Sequence, residues 1–329
     1  MSTIEKAVEK LGKSNSQAKD VSSESDAEKN FDTSGGFVDR GDLPDHMLER
    51  ATEFVEDAGQ VPTVVDLELP FARLEKAGFI SATNPRSRIA EEYRAIKRPL
   101  LKNIDGHMAD AVNNTNLIMV TSSFEGEGKT FSAINLMLSI SMEKDKTVLF
   151  VDSDIAKASA GKVLGIPEDA PGLIDLLEND SLGVEDVLLT TNLPNLRIIP
   201  AGRAHDHSTE LFASEKMRQL MAELSLRYPD RVIIFDSPPL LQTNEASVLA
   251  NFMGQVMFVV EAEKTSPDMV KQAVSHFGRD KIVGLVLNKA RNYPWDNYTQ
   301  GYGYGYGYGY GYGYGYGLDR TASGGRQDA

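Results

Sequence analysis

The chain has 329 residues, 41% of them hydrophobic, which is enough for one large or two small domains with a real core. A formal net charge of -14, with no local basic stripe, argues against nucleic acid as a partner. With no cysteine, disulfides and thiolate metal sites are excluded, in keeping with a reducing cytoplasm.

Residues 1–62 are rich in Ser, Asp, Glu, Lys and Gly. Such a composition buries too little apolar surface to offset chain entropy, and predicts a mostly disordered segment with room for a short helix over "PDHMLERATEFVEDAG". The opening "MSTIEKAVEKLGKSNSQAKD" lacks the apolar stretch of a signal peptide. No apolar run approaches the ~18 residues of a membrane span, so membrane association is expected to come through a partner.

Residues 63–112 read as a helical lead-in. In "SRIAEEYRAIKRPLLKNI", Ile89, Tyr93, Ile96, Leu100 and Leu101 recur at helical spacing. Over residues 113–290, short apolar runs alternate with longer amphipathic stretches. "NLIMVT", "TVLFVD", "LRIIP", "RVIIFD", "GQVMFVVE" and "KIVGLVLN" read as strands; "TFSAINLMLSISMEK", "SEKMRQLMAELSLRYP", "EASVLANFM" and "SPDMVKQAVSHF" read as helices. Strands this apolar are buried on both faces, which predicts an α/β domain with a doubly wound, mainly parallel sheet. Met137, Met142, Met253 and Met257 fall in apolar patterns and read as core filler. His205 and His207 lie two apart in a charged loop, a weak metal pattern and more simply a solvated pair. Residues 291–329 form a flexible tail whose "GYGYGYGYGYGYGYGYG" carries Tyr302, Tyr304, Tyr306, Tyr308, Tyr310, Tyr312, Tyr314 and Tyr316.

The chemistry concentrates after the first strand. "SSFEGEGKT" places Gly126 and Gly128 in a strand-to-helix turn, where backbone N–H groups can face phosphate oxygens. Lys129 can reach the β- and γ-phosphates, Thr130 can offer its hydroxyl to Mg²⁺, and the helix N-terminus favours anions. Ser123 stands where the usual P-loop has glycine. "VLFVDSD" ends in Asp152 and Asp154, and "VIIFDSPP" carries Asp236. A lone Asp after a strand is often a helix cap. Three carboxylates on the sheet edge that carries a phosphate loop fit Mg²⁺ and a hydroxyl nucleophile better.

On these motifs, residues of about 65 to 290 resemble the bacterial tyrosine kinase family, the P-loop autokinases of exopolysaccharide synthesis. "SSFEGEGKT" is similar to its Walker A motif, "VLFVDSD" to its second (A′) motif and "VIIFDSPP" to its Walker B motif. "EEYRAIK" resembles its E-x-x-R-x-x-R helix motif, with Glu91, Arg94 and Lys97 in the three slots. "RIAEEYRAIKRPLL" and "PAGRAHDHSTELFASE" are most similar to the stand-alone autokinases encoded with exosortase-type systems. The H-R-D and D-F-G signatures of eukaryotic kinases are missing. The chain departs from the pattern at Ser123, at Glu125 (proline is frequent there), at Lys157 (usually arginine) and at Lys97, which replaces an arginine and its bidentate pairing.

The resemblance implies ATP- and Mg²⁺-dependent autophosphorylation of the tail tyrosines. By the same resemblance Asp152 is the base, while Asp154, Asp236 and Thr130 serve the metal. Ser123, Glu125, Gly126, Glu127, Gly128, Lys129, Thr130 and Phe131 would hold the nucleotide, with Asn288 near adenine; a strand-ending Asn is also a common turn residue. Glu91, Arg94 and Lys97 would form a contact between subunits of a homo-oligomer, or else a salt-bridged exposed helix face. The implied partners are a membrane chain-length regulator (polysaccharide co-polymerase) as activator and a tyrosine phosphatase, with the protein cytoplasmic and recruited to the inner face of the membrane. About 25 residues past the last strand span roughly 80 Å when extended, so transfer to a neighbouring subunit is sterically easy. Two rivals stay open: a Min/Par-type switch ATPase, whose early loop lysine is missing around Phe124, and a non-catalytic ATP-bound scaffold for the regulator.

Overall fold

The computed structural model describes residues 66–291 except 82–83, 107–111, 204, 206 and 228–230. The helix expected over "PDHMLERATEFVEDAG" and all eight tail tyrosines lie outside the described residues.

In chain order the elements begin with helices α1 (Phe71–Lys76) and α2 (Arg88–Asp105). Next come β1 (Leu117–Ser122), α3 (Lys129–Ser141), β2 (Thr147–Asp152), α4 (Ser159–Leu164), α5 (Leu173–Glu178) and α6 (Val184–Val187). The hairpin partners β3 (Leu189–Thr190) and β4 (Leu196–Ile199) precede α7 (Ser208–Phe212), α8 (Glu215–Arg227) and β5 (Arg231–Asp236). The described part closes with α9 (Asn244–Ala250), β6 (Gln255–Glu261), α10 (Pro267–Val274) and β7 (Ile282–Asn288). All the runs read as strands from sequence are strands.

The sheet order is β3-β4-β2-β5-β1-β6-β7. Every pairing is parallel except β3 with β4. Period-2 alternation splits the strand side chains between two apolar layers. Ile118, Val120, Val148, Phe150, Ile198, Ile234, Met257 and Val259 face α3 and the lead-in. Leu117, Met119, Leu149, Val151, Ile199, Ile233, Phe235 and Phe258 face the opposite layer, with Leu173, Phe212, Met217 and Leu249 from α5, α7, α8 and α9. Full burial stabilises by about 1.5–3 kcal/mol for each large side chain, so both layers are needed.

Helix α3 is buried almost all round. The sheet covers one side and α2 the other, which is why its polar face is missing from the sequence. The lead-in shares this core: Leu67, Leu69, Leu74, Phe79, Ile80, Ala90, Tyr93 and Leu100 join the same layer. Leu67 N–H bonds to Thr190 O at 3.0 Å, and Ile80 N–H to Asn135 Oδ1 at 2.8 Å. Helix α2 starts at Ser87, whose hydroxyl accepts from Ala90 N–H.

Two readings change in the structure. Met137, Met253 and Met257 are buried, but Met142 is 44% exposed at the end of α3. The helical spacing of Glu91, Arg94 and Lys97 does not put them on one surface. Glu91 and Arg94 pair with each other in solvent, whereas Lys97 is buried and donates to Ser139 O at 2.5 Å and pairs with Glu143 at 2.7 Å. Six residues carry the third position about 120° from the first around the helix, far enough to turn it onto α3. The short α1, α4, α5, α6 and α7 and the two-residue β3 carry no expectation from sequence. Among the described residues no helix is long and apolar enough to cross a membrane.

Candidate active site

The site lies where β1, β2 and β5 end, on the C-terminal edge of the sheet. After Ser122 the backbone turns through Gly126 (φ 84°) and Gly128 (φ 97°) into α3. A side chain at Gly128 is disfavoured twice over: the φ is left-handed, and a Cβ there would lie 2.0 Å from Asn288 Nδ2, which would have to leave its bond to Glu127 O. The 13-residue α3 presents its unpaired N–H groups and positive dipole end at this turn.

The loop is held in shape by its neighbours. Asn288 Nδ2 donates to Glu127 O at 2.8 Å, and Lys289 Nζ to Gly126 O at 2.6 Å. Glu127 is buried; its carboxylate accepts from Phe124 N–H at 2.7 Å and from the Thr265 hydroxyl. Glu125 N–H donates to Gln242 Oε1 at 2.9 Å. Its carboxylate pairs with Lys157, which holds it below the ordinary carboxylate range.

These contacts refine the expected nucleotide set. Glu127 braces the loop from inside, so only its backbone N–H can face a phosphate. Phe131 packs its ring on Phe79 at 4.8 Å between centroids, away from the loop. Asn288 uses its amide on the loop backbone. Gln242, Thr265 and Lys289 are not legible as loop braces in the sequence, since nothing in their spacing marks them.

Beneath the loop sit three acids. Asp152 and Asp236 face each other in register on β2 and β5. Asp236 is wholly buried, and neither of its oxygens has a hydrogen bond of standard geometry. Burial raises it to about 7, against the pull of the Lys129 ammonium and the Thr130 hydroxyl. Asp152 Oδ1 accepts from Asp154 N–H at 3.2 Å, and Oδ2 has no partner. Burial and then the Asp236 charge hold Asp152 well above the ordinary range. Asp154 pairs with Lys129, both side chains nearly inaccessible. Ser123 is buried beside them with its hydroxyl unpartnered.

Buried carboxylate oxygens without partners are unfavourable in a finished core and mark a site that something else completes. Oxygen donors from Asp236, Asp154 and Thr130 suit Mg²⁺, which keeps several waters and needs few protein ligands. Among the described residues no cluster of three His, Asp or Glu side chains forms a metal cage. A cation here would therefore share its shell with phosphate oxygens and water. His205 faces Glu178 at 3.5 Å and stacks edge-on with His207, separate from this cluster. Glu91, Arg94 and Lys97 belong to α2 and are not part of the cluster.

The arrangement has recognisable relatives. A family described as an AAA domain matches residues 115–278. The tyrosine-protein kinase YwqD of Bacillus subtilis (strain 168) is 28% identical over 211 residues, 64% of this chain and 84% of that one. The tyrosine-protein kinase ptk of Acinetobacter johnsonii is 28% identical over 276 residues, 77% of this chain but 35% of the relative. The chain thus spans most of the first relative and about a third of the second. The kinase domain of Escherichia coli tyrosine kinase ETK superposes with a TM-score of 0.58 at 22% identity, covering 80% of this chain and 98% of that one. The chimerical protein CapA2B2 gives a TM-score of 0.56 at 24% identity, covering 74% and 100%. At these identities the structural likeness speaks to the fold.

Proposed function

We propose that this chain, which belongs to the bacterial tyrosine kinase family, transfers the γ-phosphoryl group of ATP to the tyrosines of its own C-terminal cluster. The observation that carries the reading is the buried pair Asp152 and Asp236, whose Oδ2 and both carboxylate oxygens respectively have no hydrogen bond of standard geometry, beneath a glycine-turned phosphate loop. Such a site has charge to spare for a cation and for a proton.

The roles follow from position. The loop N–H groups and the start of α3 hold the polyphosphate. Lys129, released from Asp154, follows the charge that builds on the migrating group. Asp236 and Thr130 would hold Mg²⁺, with Asp154 acting through its waters; when bound, the cation neutralises phosphate charge. Asp152, its proton affinity raised by burial, accepts the tyrosine hydroxyl proton as the phenolic oxygen bonds to phosphorus and the bond from phosphorus to the β-phosphate oxygen breaks, releasing ADP. The pre-braced loop lowers the reorganisation needed at that moment.

Tyr302, Tyr304, Tyr306, Tyr308, Tyr310, Tyr312, Tyr314 and Tyr316 are the acceptors in this reading, presented by glycines that impose no side-chain clash. Transfer runs between subunits of a homo-oligomer whose contact includes Glu91 and Arg94 on the exposed side of α2. The process served is exopolysaccharide polymerisation or export at the inner face of the cytoplasmic membrane. A membrane chain-length regulator acts there as activator, and a tyrosine phosphatase resets the tail.

The test is a labelled-ATP assay on the whole chain with Lys129→Met and Asp152→Asn. Loss of labelling in both, with Mg·ATP binding retained by Asp152→Asn, is expected. Full labelling of Asp152→Asn removes it as the base. Mixing Lys129→Met with an active chain ending at Gln300 reports on direction: label on the inactive full chain means transfer between subunits.

A further inference from the structure

Glu125 sets a problem for a phosphate loop. It puts an exposed carboxylate in the turn that must receive a polyphosphate, and like charges that close repel. The structure answers with a second ion pair. Lys129 reaches from the phosphate loop to Asp154 in the loop after β2, and Lys157 reaches back from that same loop to Glu125. The first pair is buried; the second lies at the surface, its side chains 45% and 55% exposed.

The aim of Lys157 is built in. Its N–H bonds to Asp154 O at 3.1 Å, and Ala158 N–H bonds to the same oxygen at 2.7 Å. Ala158 takes a left-handed φ of 43°, a strained setting for a residue with a Cβ. This tight turn directs Lys157 toward the phosphate loop. On the far side, Glu125 N–H is held by Gln242 from the loop after β5. Three loop ends of the sheet therefore meet at Glu125.

We propose that Lys157 is a positioning residue for nucleotide entry: it masks the Glu125 carboxylate and holds it away from the path of the phosphates. The inference rests on the reading that this loop receives ATP. It makes a prediction of opposite signs that a mere brace does not. Removing Lys157 unmasks a negative charge and weakens nucleotide binding. Removing the charge of Glu125 leaves nothing to mask and tightens it.

The experiment titrates a fluorescent ATP analogue with Mg²⁺ into the full chain, comparing the parent, Lys157→Ala, Glu125→Gln and the double variant. Lys157→Ala should raise Kd by about threefold to tenfold, the scale of a surface charge pair acting on a charged ligand. Glu125→Gln should lower it. The double variant should bind at least as well as the parent, and the effect of Lys157→Ala should shrink as salt shortens the screening length. Weakening in both single variants overturns the proposal in favour of a structural brace. A loss in Lys157→Ala that persists undiminished beside Glu125→Gln overturns it in favour of direct nucleotide contact, and unchanged binding in both overturns it outright. If the parent itself binds no nucleotide, the functional reading fails and the proposal with it. Thermal melts without nucleotide check that each variant is folded.

Discussion

Replacing Asp236 by asparagine should abolish phosphorylation and, in metal- and nucleotide-free protein, make the fold more stable. The sign follows from proton binding. Burial raises the Asp236 carboxyl from the ordinary 3.8 to about 7, so the native state holds this proton more tightly than the unfolded chain. Between those two values the native state binds more protons, and stability falls as pH rises. Each tenfold gain in proton affinity corresponds to about 1.36 kcal/mol, so the full penalty above pH 7 is roughly 4 kcal/mol. Asparagine keeps the shape and cannot ionise. Asp236→Asn should therefore exceed the parent by up to roughly 4 kcal/mol at pH 8, and by under about 2 kcal/mol at pH 5. Urea unfolding followed by circular dichroism, with EDTA at both pH values, measures the difference. An equal gap at the two pH values, or a less stable variant at pH 8, refutes the reasoning. Such a gain belongs to the wider pattern in which functional sites trade stability for chemistry.

Gly128→Ala should abolish Mg·ATP binding, because the added methyl meets the Asn288 amide in a left-handed turn; calorimetry reads the loss, and retained affinity contradicts the fixed-loop account. Lys97→Ala should lower stability by about 1–3 kcal/mol through loss of its buried bond to Ser139 O, read by urea unfolding. Arg94→Glu should leave the melting temperature within a few degrees and shift the assembly toward monomer; paired melts and light scattering separate the two. A chain ending at Gln300 should bind Mg·ATP like the parent and lose self-labelling, and undiminished labelling places the acceptors elsewhere.

The strands were legible because a parallel sheet covered on both faces writes continuous apolar runs, as in "NLIMVT" and "RVIIFD". The acids were legible for a related reason: strand ends on one sheet edge come together whatever the intervening loops do. What stayed hidden depends on partners distant in sequence. Glu127 reads as a loop carboxylate until Thr265 and the Phe124 N–H turn it inward. Lys97 reads as an exposed cation until α2 is laid on α3. Helices such as α5, at six residues, are too short for their periodicity to stand out, and are held by Leu173, Ile174, Leu176 and Leu177 in the core instead.

The two residues that close β7 do more than finish the sheet. Asn288 and Lys289 fasten to successive carbonyls of the phosphate loop, and the chain runs on from there toward its tyrosines. In the function proposed above, the acceptor segment therefore starts beside the phosphate loop. Tyr302 follows Arg291 by a length of chain that spans roughly 36 Å at full extension. Under the proposed function, this leash of chain keeps a site's own tyrosines at an effective concentration on the order of millimolar. A neighbour's centre must compete with that standing supply. The rate of labelling per subunit is then the diagnostic quantity: independent of protein concentration if the leash decides, and rising with it until assembly saturates if the neighbour does.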